Sequence, residues 1–486
     1  MKKILKTSLI LVLALAVFGL WLIALFHISN LWRGDSDNAY LVIAGNAIDK
    51  GNYILRGYYL SQLDPFYSID MFVNAAFVKI LGFRPLVMHV VPVFLYTVFI
   101  LIAGFYLLDL KHKDKIKTEK SSGGIVFKTG IFLFTVFLVF PSRGFAFWAL
   151  QEGMHLTAII VSLSVFLLID RFIKKGSYLF LVTAFIVLTA GFANDNTNVL
   201  ICAAPLIVLS LIFIIKEVFW KNNMKKSIWN NIKSYVLIII SVIAAYLVKE
   251  FAFYEIKTHG GFTLAPSGLA IAFVRLKYIG KNLYFYTNGM LNLLGVKLFG
   301  KYLFSLRTII EIFKITGLII FVYGIKAAVK KIKKLKNDDL IDILLFGGMF
   351  FMSFAFLVSR IPVDKASSRY LMPVAAFGLI LAIRNFGFIL NDFIKKAGGN
   401  TLFNDDVKSI NINTTKNKKN NIADKDLKTV LLKLYAAVIF TAYTGSFILN
   451  STAVIPKSPV RPLGKWLIKH NLTYGYGSFK KKFIIM

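Results

Sequence analysis

Long apolar runs alternate along this chain with shorter basic or aromatic ones, and the alternation predicts membrane spans. Ser8 to Phe26 carries no charge over nineteen residues, and at about 1.5 Å rise per residue such a helix nearly covers a hydrocarbon slab of about 30 Å. The basic start, Met1 to Lys6, would also suit a signal peptide. The run is long, however, and ends in Trp21, Phe26 and His27 without an Ala-x-Ala site, so it reads as an uncleaved helix. Comparable runs predict helices near 86–109, 125–141, 154–170, 177–191, 197–215, 234–250, 307–325, 341–359, 370–390 and 430–449. The fold class expected is all-α, a polytopic transmembrane bundle of about eleven helices.

The first long connection, 29–85, has helical periodicity of its own. Tyr40, Ile43, Ala44, Ala47 and Ile48 share one face; Ile69, Phe72, Val73, Ala76, Phe77, Ile80 and Leu81 share another. Both stretches are too short and polar to span, so they are expected to lie in the interface with the apolar face toward lipid or bundle. A second long connection, 251–306, is broken by Gly260, Gly261, Pro266 and Gly268 and continues in an amphipathic Tyr, Phe and Lys-rich stretch. The expected organisation is a transmembrane domain over 1–390, a polar disordered loop over 391–429, a last span at 430–449 and a short tail at 450–486.

Composition supports this picture: 57% of residues are hydrophobic and 17% charged, against roughly 45 to 50% and about 25% in soluble domains. The formal charge of +34 would suggest nucleic acid in a soluble protein, but here the basic residues cluster in every second connection. That is the positive-inside signal, which places the N-terminus in the cytoplasm and the C-terminus outside and removes the reason to expect a nucleic-acid partner. Trp148, Trp229 and the Tyr residues near helix ends read as an aromatic belt. Cys202, the one cysteine, reads as a small buried hydrophobe. No Walker-type loop, CxxC pair or HExxH is present, so neither ATP hydrolysis nor zinc chemistry is expected.

Acids at the membrane edge are expensive and often functional. Asp35 and Asp37 follow the first helix in Asp35-Ser36-Asp37-Asn38-Ala39-Tyr40; either a helix cap or a catalytic carboxylate fits them. Arg369 and Tyr370 open a late helix, where Arg369 is either a snorkelling cation or an anion ligand. Glu152 and His155 flank the fourth helix, and Asp195 sits on a turn before the sixth; capping and substrate contact are open for all three, and a metal role also for Asp195. His89 reads as a packed helix residue.

The order of these elements resembles the GT-C class of multi-pass glycosyltransferases, which includes protein mannosyltransferases and the lipid A aminoarabinose transferase. The resemblance rests on the acids after the first helix, then Lys50-Gly51-Asn52, Asp64-Pro65-Phe66-Tyr67, Leu81-Gly82-Phe83-Arg84-Pro85, and on Ser368-Arg369-Tyr370-Leu371-Met372-Pro373. It implies a polyprenyl-phosphate sugar as donor, a cell-envelope glycan, lipid or protein as acceptor, and membrane lipid as surroundings. It further implies Asp37 or Asp35 as base, Arg369 and Tyr370 at the lipid phosphate, and room for a divalent cation. The family often has Asp-Glu where this chain has Asp37-Asn38. The rival readings are a transporter or flippase of a lipid-linked envelope precursor and a non-catalytic GT-C relative. Richness in Lys, Asn and Ile suits an AT-rich bacterium, hence its cytoplasmic membrane.

Overall fold

The computed structural model describes residues 2–32, 36–117, 123–151, 154–220, 226–265, 272–296, 306–333, 339–396 and 415–456. It is an all-α polytopic helix bundle. In chain order its helices are α1 (Lys2–Asn30), α2 (Ser36–Asp49), α3 (Asp70–Leu81), α4 (Val87–Lys117), α5 (Gly123–Phe134) and α6 (Arg143–Gln151). They continue as α7 (Met154–Lys175), α8 (Tyr178–Asn194), α9 (Ala204–Trp220), α10 (Lys226–Thr258) and α11 (Ile279–Leu293). The last four are α12 (Leu306–Ile332), α13 (Leu340–Val358), α14 (Met372–Lys396) and α15 (Thr415–Ser451). Among the described residues nine helices are long and apolar enough to cross a membrane, or ten if α5 and α6, bent by 61°, count as one broken span. The shorter apolar helix α8 falls on the remaining predicted run, so every run found in the sequence is a helix.

The spans differ in how they meet the bundle. Of the most apolar window of α1 only 6% is buried, against 78% for the span containing α14. Leu9 to Leu20 in α1 therefore present apolar surface outward, as a lipid-facing helix does, while Leu25 and Ile28 are buried. Small residues allow the inner helices to approach closely: a Cβ on Gly324 of α12 would lie 2.5 Å from the Ala382 Cα of α14. The polar stretch 391–429 is helical where described, to Lys396 and from Thr415; positions 397–414 and 457–486 lie outside the described residues.

At one end of the bundle the two long connections meet. Strand β1 (Tyr59–Ser61) pairs in parallel with β2 (Thr263–Ala265), and the Phe262 amide donates to the Ile54 carbonyl at 2.9 Å. A small second core beneath them includes Leu41, Leu60, Phe66, Met71, Phe253 and Phe262. Helices α2 and α3 form as expected and pack on each other so tightly that a Cβ on Gly45 would lie 2.8 Å from the Ala75 nitrogen. The orientation of α3 is informative. Its buried side is Asp70, Met71, Asn74, Ala75 and Val78, whereas Phe72 and Ile80 of the apolar stripe are 39% and 76% exposed. The most buried side thus includes the polar residues Asp70 and Asn74, while Ile69, Val73, Phe77 and Leu81 of the stripe pack partly buried against the main core.

At the opposite end a buried charge cluster ties five helices. Arg384 of α14, 1% exposed, donates to Asp342 of α13 at 2.6 Å and to the Tyr106 carbonyl and Asp109 of α4 at 2.6 and 3.2 Å. Lys331 of α12 reaches Asp342 at 2.6 Å and Asp339 at 3.2 Å, and Lys174 of α7 reaches Asp170 on its own helix at 2.6 Å and Asp109 of α4 at 3.9 Å. Cys202 is buried and free.

Candidate functional site

Each wall of the site is fixed by local chemistry. Asp37 stands in the first turn of α2, where exposed backbone N–H groups favour a carboxylate. Next to it Asn38 is buried and its amide donates to the Gln151 carbonyl at the end of α6. A carboxylate in place of Asn38 would set negative charge against that oxygen, so an amide at this position has a structural reason. Arg369 sits on the 3-10 turn Lys365–Leu371, which is closed by a reciprocal capping box between Asp364 and Ser367. From behind, Trp148 donates to Ser368 at 3.2 Å. Gly289 of α11 backs the same turn, because a Cβ there would meet Leu371 at 2.7 Å.

These two walls bring Asp37 and Arg369 together: Nη1 of Arg369 is 3.7 Å from Oδ2 of Asp37, with the side chains 29% and 43% exposed. The pair is therefore at an open rim. From it a continuous string of contacts runs inward. The Arg369 guanidinium lies over the Tyr370 ring at 5.2 Å, the Tyr370 ring packs on the His155 ring at 4.8 Å, and His155 Nδ1 is 3.1 Å from Asp195 Oδ2.

The string ends in a cluster that adds Asp64 to the candidates His155 and Asp195. Asp64, His155 and Asp195 each offer a ligand atom, all within 4.8 Å of one another. Two carboxylates and an imidazole suit a divalent cation such as Zn²⁺ or Mn²⁺. Asp64 is held there because the segments 62–70 and 194–198 are bonded edge to edge. The Phe66 amide donates to the Asn194 carbonyl at 2.6 Å, the Asn196 amide to the Leu63 carbonyl at 3.0 Å, and the Ile69 and Asp70 amides to Asn194 Oδ1 at 3.0 and 2.9 Å. Phe66 accepts φ of 54° in that register, a left-handed conformation unusual for an aromatic residue.

Charge follows from this geometry. Burial, then the neighbouring Asp195 carboxylate, push the Asp64 carboxyl up to about 7, while His155 and Arg369 pull the other way. Burial opposes the charge on Asp195 too, but the hydrogen bond and field of His155 and the Thr197 amide, 2.7 Å from Oδ1, hold it below the usual carboxylate range. Asp64 is therefore the member of the pair that keeps a proton. Beneath them Asp70 accepts from Thr157 at 2.9 Å and Asn194 at 2.8 Å, and burial raises it to about 7 despite those bonds.

The structure thus joins Asp37, Arg369, Tyr370, His155 and Asp195, while Asp35 and Glu152 lie outside the described residues. His155, expected at the end of a helix, is buried. Asp195 both caps its turn, through Thr197, and binds His155. Trp148 is not a belt residue: it is 7% exposed inside the bundle because its indole N–H finds Ser368 there. His89 packs as expected, its Nδ1 3.1 Å from the Ser29 hydroxyl. Asp64, Asp70, Thr157 and Asn194 were missed as site residues, although Asp64-Pro65 before two aromatics was visible. The chain matches no protein-family model and no curated protein.

Proposed function

We propose that this chain is a GT-C-like glycosyltransferase of a bacterial cytoplasmic membrane, with the end carrying Asp37 and Arg369 facing outward. The donor is a polyprenyl-phosphate sugar and the acceptor a hydroxyl on an envelope glycan, lipid or protein. The observation that carries this reading is the open pairing of Asp37 with Arg369 at one rim of an apolar bundle. An acceptor oxygen attacks the sugar's anomeric carbon, the bond from that carbon to the phosphate oxygen breaks, and Asp37 takes the hydroxyl proton. Arg369 leaves Asp37 for the phosphate and holds the negative charge that stays on the departing polyprenyl phosphate. Tyr370 fixes the guanidinium plane, and the lipid tail lies along the bundle. A divalent cation on Asp64, His155 and Asp195 would add positive charge near a phosphate, the chemistry a Lewis acid supplies.

The test is transfer of radiolabelled sugar from a lipid-phosphate donor by purified protein in detergent. Asp37→Asn should lower turnover about 10²- to 10⁴-fold, the usual worth of a general base, with Asp35→Asn as the companion variant. Undiminished turnover in both removes the proposed base.

A second reading, a flippase of the same lipid-linked precursor, is favoured by the 61° break between α5 and α6, since broken helices are common in transporters. It requires no bond cleavage, which separates it from the first.

A further inference from the structure

Beyond the rim site, a second concavity lies at the same end of the bundle. It is a cavity of about 350 Å³ lined by Arg275, Lys281 and Arg360 together with Tyr278, Asn282 and Val363. No carboxylate lines it among the described residues. Another large cavity at this end, about 400 Å³, differs in this respect, because Glu311 lines it along with Arg143 and Lys314.

Two separate pieces of chain present these cations, the stretch 272–293 with Arg275 and Lys281 and the segment after α13 with Arg360, and they are fixed to one another. Phe273 and Ser359 form an antiparallel bridge, the Val274 amide donates to the Val358 carbonyl at 2.8 Å, and the Arg360 amide to the Ala272 carbonyl at 3.1 Å. Buried Asn282, on α11, spends both amide hydrogens on the Leu357 and Ser359 carbonyls, each at 2.9 Å. Concentrating like charge on a rigid frame is unfavourable without a counter-charge.

The sequence supplies a second, independent observation. Segment 251–306 holds six Lys and Arg residues against the lone acid Glu255, and under the orientation proposed above it faces outward, where the positive-inside rule disfavours such an excess. These cations do not serve topology. An anion at the outer surface accounts for both facts, and guanidinium forks beside an ammonium match the several oxygens of a phosphate.

We infer that the Arg275–Lys281–Arg360 cavity is a phosphate-binding site distinct from Arg369, taking a membrane-lipid headgroup or a free phosphoryl compound. It does not depend on catalysis, and its test reads binding alone. Inorganic pyrophosphate is titrated calorimetrically into the full chain in uncharged detergent. In parallel, native mass spectrometry counts phosphatidylglycerol against phosphatidylcholine retained by the same protein. Binding in the first arm identifies a free phosphoryl ligand; selective retention in the second identifies a headgroup. In whichever arm binds, R275Q/K281Q/R360Q should weaken it more than tenfold, R275K/R360K should keep most of it, and R369Q should leave it within about twofold. Equal melting temperatures confirm that these variants fold. The inference is overturned if neither ligand binds, if the triple variant binds like wild type, or if R369Q alone abolishes binding.

Discussion

Two charged clusters occupy opposite ends of this bundle, and they are built on opposite principles. At the rim end Asp37 and Arg369 meet at 3.7 Å with 43% and 29% of their side chains exposed. At the far end Arg384 is 1% exposed and divides its donors among Asp342, Asp109 and a backbone carbonyl, at 2.6 to 3.2 Å. Arg384 and its two carboxylates are sealed, with short contacts and fixed partners from three helices, so these charges are occupied with holding those helices together. The open pair is long, wet and made by two side chains whose positions are fixed by other residues, Asn38 behind one and Trp148 with Gly289 behind the other. Charge that a fold needs for itself is closed off. Charge paired at a partly exposed rim can be exchanged for a ligand's.

Variants sharpen this contrast. Arg384→Met takes the shared guanidinium from Asp342 and Asp109, leaving Lys331 to hold the first and Lys174 the second, and breaking such a buried pair costs about 3 to 5 kcal/mol. Its melting temperature in detergent should fall sharply while turnover per folded molecule stays near wild type. Arg369→Gln should do the reverse, lowering turnover about 10²-fold, as loss of one transition-state donor does, with little change in melting temperature. Equal melting losses in the two variants would dissolve the distinction. Trp148→Phe removes one hydrogen bond to the turn carrying Arg369, worth about 1 kcal/mol; turnover should fall roughly fivefold, and Ser368→Ala on top should cost little more.

A further effect is expected on pH. Asp70 carries a folded-state pKa of about 7 against a reference value of 3.8, so the native chain holds a proton the unfolded chain has lost. Stability from this group is complete below the unfolded value, declines as pH rises between the two, and is gone above the folded one. His155 and Asp195 act on the same carboxyl, so the comparison is wild type minus Asp70→Asn, melted from about pH 4 to about pH 8. The difference should shrink from acid to neutral pH; a flat difference would show that Asp70 stays ionised.

The sequence disclosed the spans because bilayer thickness imposes an apolar run length that composition cannot hide. It disclosed α2 and α3 through periodicity, but periodicity marked the stripe of α3 containing Phe72 and Ile80 and could not say that the most buried side would be the one with Asp70 and Asn74. Asp37 and Arg369 stand out by their place at predicted helix ends and by the resemblance to the GT-C class, and their approach across the chain is a property of the fold. Asp64, His155 and Asp195 come from three separate segments, so no spacing motif contains them, and each has an innocent local reading as a turn or cap. Arg384, lodged within a predicted span, carried no sign of the partners that four other helices contribute to its cluster.

Transfer itself is tested most directly with a donor labelled in both the sugar and the polyprenyl phosphate, in proteoliposomes holding either wild type or Asp37→Asn. The account predicts that wild type separates the two labels, sugar appearing on acceptor and phosphate staying with lipid, and that the variant leaves them joined. Movement of the intact donor across the bilayer at equal rates in both proteins, with no separation of labels, would contradict it.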